Sequence, residues 1–152
     1  MVARAPHGLK GGEIVFPKVT VGGTHTAIMA ASLANGATVI ENAAREPEIT
    51  DVADCLNKMG ARISGAGTER IIVEGVAKLN GAQHSVLADR IEAGTYAIAL
   101  AITGGEVELI GARRDHIAAP LDLLQRIGTD IRATNRGIAL FRNCLLYTSR
   151  CV

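Results

Sequence analysis

Glu46-Pro47-Glu48-Ile49-Thr50-Asp51-Val52-Ala53-Asp54-Cys55-Leu56-Asn57-Lys58-Met59-Gly60 is the stretch on which the fold reading turns. Ile49, Val52, Ala53, Leu56 and Met59 recur at helical spacing, with Asp51, Asp54, Asn57 and Lys58 between them. The segment is therefore an amphipathic helix with one face to bury. Gly60 closes it. Two strands follow, residues 62–64 and 70–74, joined by a turn at Gly65-Ala66-Gly67. Working upstream, residues 37–42 read as a strand. Residues 24–34 are Ala-rich and apolar on most faces, the pattern of a buried helix ended by Asn35-Gly36. Residues 13–16 form a short strand stopped by Pro17. Between them, residues 18–23 read as a turn containing a Gly pair.

The same order then returns. Ser85-Val86-Leu87 reads as a strand, residues 94–102 as an Ala-rich helix stopped by Gly104-Gly105, and residues 106–110 as a strand. Residues 117–127 form an amphipathic helix closed by Gly128, followed by strands at 130–133 and 138–141. Gly23 pairs with Gly94, Gly60 with Gly128, and Ile72-Val73 with Ala139-Leu140, each about 70 residues apart, the signature of an internal repeat. The repeat order is β-α-β-α-β-β. Each copy carries one nearly all-apolar helix, which needs cover all round. Such units bury their faces against further copies, so both apolar helices are expected to expose uncovered patches.

The chain has 152 residues, 48% of them apolar, with 16 Lys+Arg against 15 Asp+Glu for a net charge of +1. That composition excludes a disordered chain. The balanced charge argues against nucleic acid or a membrane surface as partner, because neither is gathered without a basic excess. Two Phe and two Tyr give no base-stacking platform. The longest apolar run, residues 27–34, is too short to span a bilayer. The first seven residues hold no apolar signal core, so a cytoplasmic location is expected. Cys55, Cys144 and Cys151 give neither a disulfide framework nor metal spacing. Cys55 lies at an apolar helical position and reads as a small buried hydrophobe. His25, His84 and His116 have no ligand-like spacing.

Two places could carry chemistry. Lys18-Val19-Thr20-Val21-Gly22-Gly23-Thr24 precedes a helix, where free N–H groups and the helix dipole favour an anion. Lys18 adds charge, and the Gly pair permits close approach. An N-cap by Thr24 accounts for the same residues without any ligand. Arg45-Glu46-Pro47-Glu48 either stabilises a helix start, with Pro47 inside it and Glu46 and Glu48 complementing the dipole, or lines a polar cleft. Asp89-Arg90-Ile91-Glu92 takes the corresponding place before the second apolar helix.

Three runs taken together resemble a known family. They are Lys18-Val19-Thr20-Val21-Gly22, Ile40-Glu41-Asn42-Ala43-Ala44-Arg45-Glu46-Pro47-Glu48-Ile49, and Asp89-Arg90-Ile91-Glu92-Ala93-Gly94-Thr95. The family is UDP-N-acetylglucosamine 1-carboxyvinyltransferase, the bacterial enolpyruvyl transferases of peptidoglycan synthesis. The resemblance covers residues 2–143. It implies an α/β fold of the enolpyruvyl transferase type, an inside-out barrel of β-α-β-α-β-β units, three per domain, with about two units present here. Residues 1–87 would be the last unit of the first domain and residues 88–143 the first unit of the second. It implies transfer of enolpyruvyl from phosphoenolpyruvate to the 3-hydroxyl of UDP-N-acetylglucosamine. The partners would be those two substrates, with no cofactor and no metal. Lys18, Val19, Thr20, Val21 and Gly22 match the nucleotide-sugar segment, with Thr20 where the family has Ser. Glu46, Glu48, Asp89 and Arg90 match charged residues near the cleft.

The resemblance leaves the family's main catalytic groups without counterparts: the reactive-Cys loop, the general-base Asp and the phosphate-binding Arg residues. Cys55 lies in a different segment from the loop Cys. The chain therefore reads as an inactive internal fragment. Residues 144–152 continue no element, and one codon choice for them resembles a transposase adapter end, so a translated non-native tail is expected there. The rivals are a shikimate-type enolpyruvyl transferase, an RNA 3′-terminal phosphate cyclase, and a non-catalytic repeat module.

Overall fold

A computed structural model describes residues 5–143. The tail from Cys144, with Cys144 and Cys151, lies outside the described residues. The chain divides into two compact units, Met1–Val86 and Leu87–Val152.

In the first unit the elements run β1 (Glu13–Val15), α1 (Val21–Ala31), β2 (Ala37–Glu41), α2 (Pro47–Lys58), β3 (Arg62–Ser64) and β4 (Arg70–Glu74). The sheet order is β1-β2-β4-β3. β1 runs parallel to β2, while β4 is antiparallel to both β2 and β3. Alternation along the strands sends Ile40, Ile71 and Val73 inward. They meet Ala27, Ile28 and Ala31 of α1 and Ile49 and Ala53 of α2 in one core. Cys55 is half-buried and free.

The second unit runs α3 (Arg90–Thr103), β5 (Gly105–Ile110), α4 (Ala118–Arg126), β6 (Asp130–Ala133) and β7 (Gly137–Arg142), with a 3-10 turn at Arg114–His116. Its sheet order is β5-β7-β6, antiparallel throughout. Leu109, Ile138 and Leu140 face Ala97, Leu100 and Ala101 of α3 and Leu121 and Leu124 of α4.

Three expectations change. Ser85-Val86-Leu87 is not a strand: no ladder partner lies beside it among the described residues, and Val86 is 79% exposed. An isolated triplet cannot satisfy its backbone as a strand without a neighbour. Both apolar helices also start earlier than their composition suggests, at Val21 rather than residue 24 and at Arg90 rather than residue 94. Capping decides this, because Thr20 and Asp89 each accept hydrogen bonds from the first-turn backbone. Hence Gly22 and Gly23 are helical, and Asp89 is a cap with Arg90, Ile91 and Glu92 in the turn behind it. Finally, α1 ends at Ala31 with Ser32 as its C-cap, short of Asn35-Gly36.

Both apolar helices carry exposed apolar side chains. Met29 lies on α1, and Ile91, Tyr96, Ile98 and Ile102 lie on α3.

Candidate functional site

Because β1 and β2 are parallel, their carboxyl ends share one edge of the first sheet, and α1 and α2 both begin there. Open α/β sheets place ligands at such ends. Non-local hydrogen bonds hold the two connecting segments together. The Phe16 N–H donates to the Glu41 carbonyl at 3.2 Å. Asn42 Nδ2 donates to the Phe16 carbonyl at 2.8 Å. The Ala44 N–H donates to Thr24 Oγ1 at 3.0 Å. His25 Nε2 lies 3.2 Å from the Glu48 carbonyl, joining one helix to the other. Asn42 adopts φ 55°, a left-handed conformation that Asn tolerates well.

Thr20 caps α1 through a 3.2 Å bond from the Gly23 N–H to its Oγ1. Thr24, expected as the cap, is instead fully buried. Its hydroxyl donates to the Thr20 carbonyl at 2.7 Å while accepting from Ala44. With Gly23 satisfied, the N–H groups of Val21 and Gly22 are those the helix itself leaves open. No acidic residue stands in the first turn to offset the positive helix end. Lys18 and Val19 are exposed beside it. A Cβ on Gly22 would meet nothing within 4 Å, so the backbone there is open to approach. Gly23 differs: a Cβ would lie 2.5 Å from Thr20 Cγ2 and 3.1 Å from Phe16 Cε1, so it is glycine for packing.

Glu46 and Glu48 stand at the start of α2. Glu46 makes no side-chain cap bond, and its Oε2 is buried without a hydrogen-bond partner among the described residues. Pro47 occupies the first helical turn and Glu48 complements the dipole. Lys18, Val19, Thr20, Val21, Gly22, Glu46 and Glu48 therefore belong to one end of the first unit. Asp89 and Arg90 belong to the second, where Asp89 Oδ1 accepts from the Ile91 and Glu92 N–H groups at 2.8 and 3.2 Å. Sequence reasoning passes over Asn42 and misplaces Thr24. Their partners lie 26 and 20 residues away, so no local pattern reports them.

Among the described residues no group of three or more His, Cys, Asp or Glu side chains is placed to hold a metal ion. Nor is any helix among them long and apolar enough to cross a membrane.

The chain spans about a third of the length of the curated relatives it matches. It is 67% identical over 142 residues to the UDP-N-acetylglucosamine 1-carboxyvinyltransferase of Afipia carboxidovorans, covering 93% of this chain and 33% of that one. The enzyme of the same name from Azorhizobium caulinodans is 66% identical over 143 residues, covering 94% and 33%. Among solved structures, the enolpyruvyl transferase NikO from Streptomyces tendae superposes with a TM-score of 0.63 at 21% identity, over 80% of this chain and 29% of that one. The last likeness shows the shared fold. Residues 2–147 match the family model of EPSP synthase (3-phosphoshikimate 1-carboxyvinyltransferase), and the chain belongs to that family.

Proposed function

We propose that this chain is part of a UDP-N-acetylglucosamine 1-carboxyvinyltransferase, the transferase that moves enolpyruvyl from phosphoenolpyruvate to the 3-hydroxyl of UDP-N-acetylglucosamine in peptidoglycan synthesis. The observation that carries this reading is the anion-favouring start of α1. Lys18, the Val21 and Gly22 N–H groups and an unopposed helix end present positive potential beside an open glycine backbone. A nucleotide diphosphate fits those donors. Val19 and Thr20 complete the contact segment, with Glu46 and Glu48 as further charged candidates in the first unit and Asp89 and Arg90 as candidates in the second. High identity to relatives bearing that name favours it over the shikimate-type enzyme.

In this reading residues 1–87 close the first domain and residues 88–143 open the second. The enzyme works in the cytoplasm and serves cell-wall growth and division. This stretch holds part of the sugar-nucleotide surface, and the groups that clamp phosphate and move the proton lie elsewhere in the enzyme. Without them the charge developing during transfer is unsupported, so the chain alone is inactive.

Titrating the 15N-labelled chain with UDP-N-acetylglucosamine tests the reading. Shifts concentrated on Lys18 to Thr24 are expected, with no phosphate released from added phosphoenolpyruvate. Absence of any shift would favour a non-catalytic repeat module, and turnover above background would refute the fragment reading.

A further inference from the structure

The chain from Gly75 to Asp89 joins β4 to α3 without a helix or strand of its own. Its first part is held by backbone. The Gly75 and Val76 N–H groups donate to the Gly36 and Ser32 carbonyls at 3.0 and 2.9 Å, and the Asn80 N–H donates to the Met59 carbonyl at 2.8 Å. Leu79 packs against the first core. Beyond Asn80 this support stops. Among the described residues, no hydrogen bond between main-chain groups holds residues 81–88. Gly81, Ala82, Gln83, Ser85 and Val86 are exposed. His84 is the exception in that run. Its side chain is only 10% exposed and lies against α2, with Nε2 3.0 Å from Asp51 Oδ1 and Nδ1 3.2 Å from Lys58 Nζ. Asp51 and Lys58 stand two turns apart on one face of α2.

We propose that His84 is a tether that fastens the connecting segment to α2, its ring clasped between the Asp51 carboxylate and the Lys58 ammonium. The two contacts assign the ring hydrogen. An ammonium has no lone pair, so Lys58 donates and Nδ1 accepts. The ring hydrogen then sits on Nε2 and donates to Asp51, a bond strengthened by the carboxylate's charge. Each ring nitrogen meets its complement, which an apolar side chain of similar size could not reproduce. Fully exposed ion pairs contribute little. This one is largely withdrawn from water, since the Asp51 side chain is only 20% exposed. The consequence is mechanical. With the tether closed, the stretch left between it and the Asp89 cap is Ser85 to Ala88. With it open, that stretch begins at Gly81 and doubles. The span of a flexible segment grows as the square root of its length, so release lengthens the reach about 1.4-fold. Because the clasp is made of side chains, one substitution opens it without disturbing the ladder of β4 or the backbone of α2.

Backbone 15N relaxation of this chain tests the tether, with His84→Leu, His84→Gln and Lys58→Met beside wild type. Order parameters at Gln83 and Ser85 should lie near the rigid value of about 0.85 in wild type and fall below about 0.6 in His84→Leu. His84→Gln offers an amide N–H and a carbonyl oxygen in place of the two ring nitrogens and should keep most of that order. Lys58→Met keeps the stem, removes the ammonium and should give an intermediate value. Slowly exchanging amides at Ile71 and Val73 of β4 check that the first unit stays folded in each variant. In wild type, imidazole 15N shifts should place the ring hydrogen on Nε2. Disorder at Gln83 and Ser85 in wild type, or no loss of order in folded His84→Leu, would overturn the tether. So would equal loss in His84→Leu and His84→Gln, which would make the ring a packing group, or a ring hydrogen found on Nδ1. The sugar-nucleotide titration reads residues 18–24 instead, so either idea can fail without the other.

Discussion

The first helices of the two units start from the same place in the repeat and end with opposite electrostatics. Thr20 caps α1 with a single neutral bond, and no carboxylate stands in the first turn. Asp89 caps α3 by accepting two backbone N–H bonds at one carboxylate oxygen, and Glu92 stands in the first turn behind it. The helix dipole is therefore neutralised internally in the second unit and left open in the first. One duplicated scaffold thus yields one helix start suited to an external anion and one that supplies its own. The difference depends on a handful of side chains at one corner.

Two corners can be compared in this way only if both cores are equally well packed, and that is the largest effect to test. Ile71 and Ile138 hold matching places on β4 and β7, and both are buried. Ile71→Ala and Ile138→Ala should each cost about 2–5 kcal/mol in urea unfolding. A cost well under ~1 kcal/mol at either site would mean that its unit is not closed around that residue as described.

Next comes the brace in the first unit. Thr24→Val keeps the shape but removes the acceptor of the buried Ala44 N–H, leaving it unpaired at a cost of about 1–3 kcal/mol. The 42–48 segment should loosen, seen as faster exchange at Ala44. An unchanged Ala44 amide would show that the segment is held by other contacts.

The reach of the sequence follows the same line between local and distant causes. Both α2 boundaries fall within one residue of the amphipathic pattern, and β3 and β4 match residue for residue. Their signals are local: a helical period, a Gly stop, and alternation about a Gly turn. The start of α1 escapes such signals because Val21-Gly22-Gly23 are poor helix formers, and Thr24, which looks like the cap, is buried and accepts a bond from Ala44 instead. Ser85-Val86-Leu87 carries strand-like residues, but a strand needs a neighbour, and no local pattern supplies one. At the site, Lys18 to Gly22 are legible from their place before a helix and from their resemblance to a family. Asn42 and His25 join segments more than twenty residues apart and leave no mark in any window.

The two caps allow a direct contrast of about 0.5–2 kcal/mol. Asp89→Ala should destabilise its unit more than Thr20→Ala does the other, because it frees two N–H groups rather than one. Thr20→Ala should in addition weaken the response to UDP-N-acetylglucosamine. Equal losses with no change in ligand response would erase the proposed difference between the corners. The glycines sharpen it further. A methyl group added at Gly22 or at Gly94 would meet no atom within 4 Å, and both residues are helical. Gly→Ala at each should raise stability by about 0.4–1 kcal/mol. Only Gly22→Ala should block ligand approach. Loss of ligand shifts in both variants would point to an indirect effect.

The smallest effect belongs to the second unit's outer face. Thr134 Oγ1 donates to Glu108 Oε1 at 2.8 Å, and the Arg136 guanidinium donates to Oε2. The Thr134 bond first and the Arg136 bond second favour the charged carboxylate, holding Glu108 below its ordinary value. A group whose folded value is lowered contributes stability that is complete above the ordinary carboxylate range and lost as pH falls through the folded value. Glu108→Gln removes that contribution. Wild type should therefore melt slightly higher than the variant at neutral pH, and the gap should close on acidification and shrink in high salt, as for any exposed pair. Asp115, lowered mainly by its bond from Arg113, adds an acid-sensitive contribution of the same sign that both proteins share and that cancels in the difference. A gap in melting temperature that stays constant from pH 7 down through the acid range would show that Glu108 acts by packing on Thr134 and not by its charge.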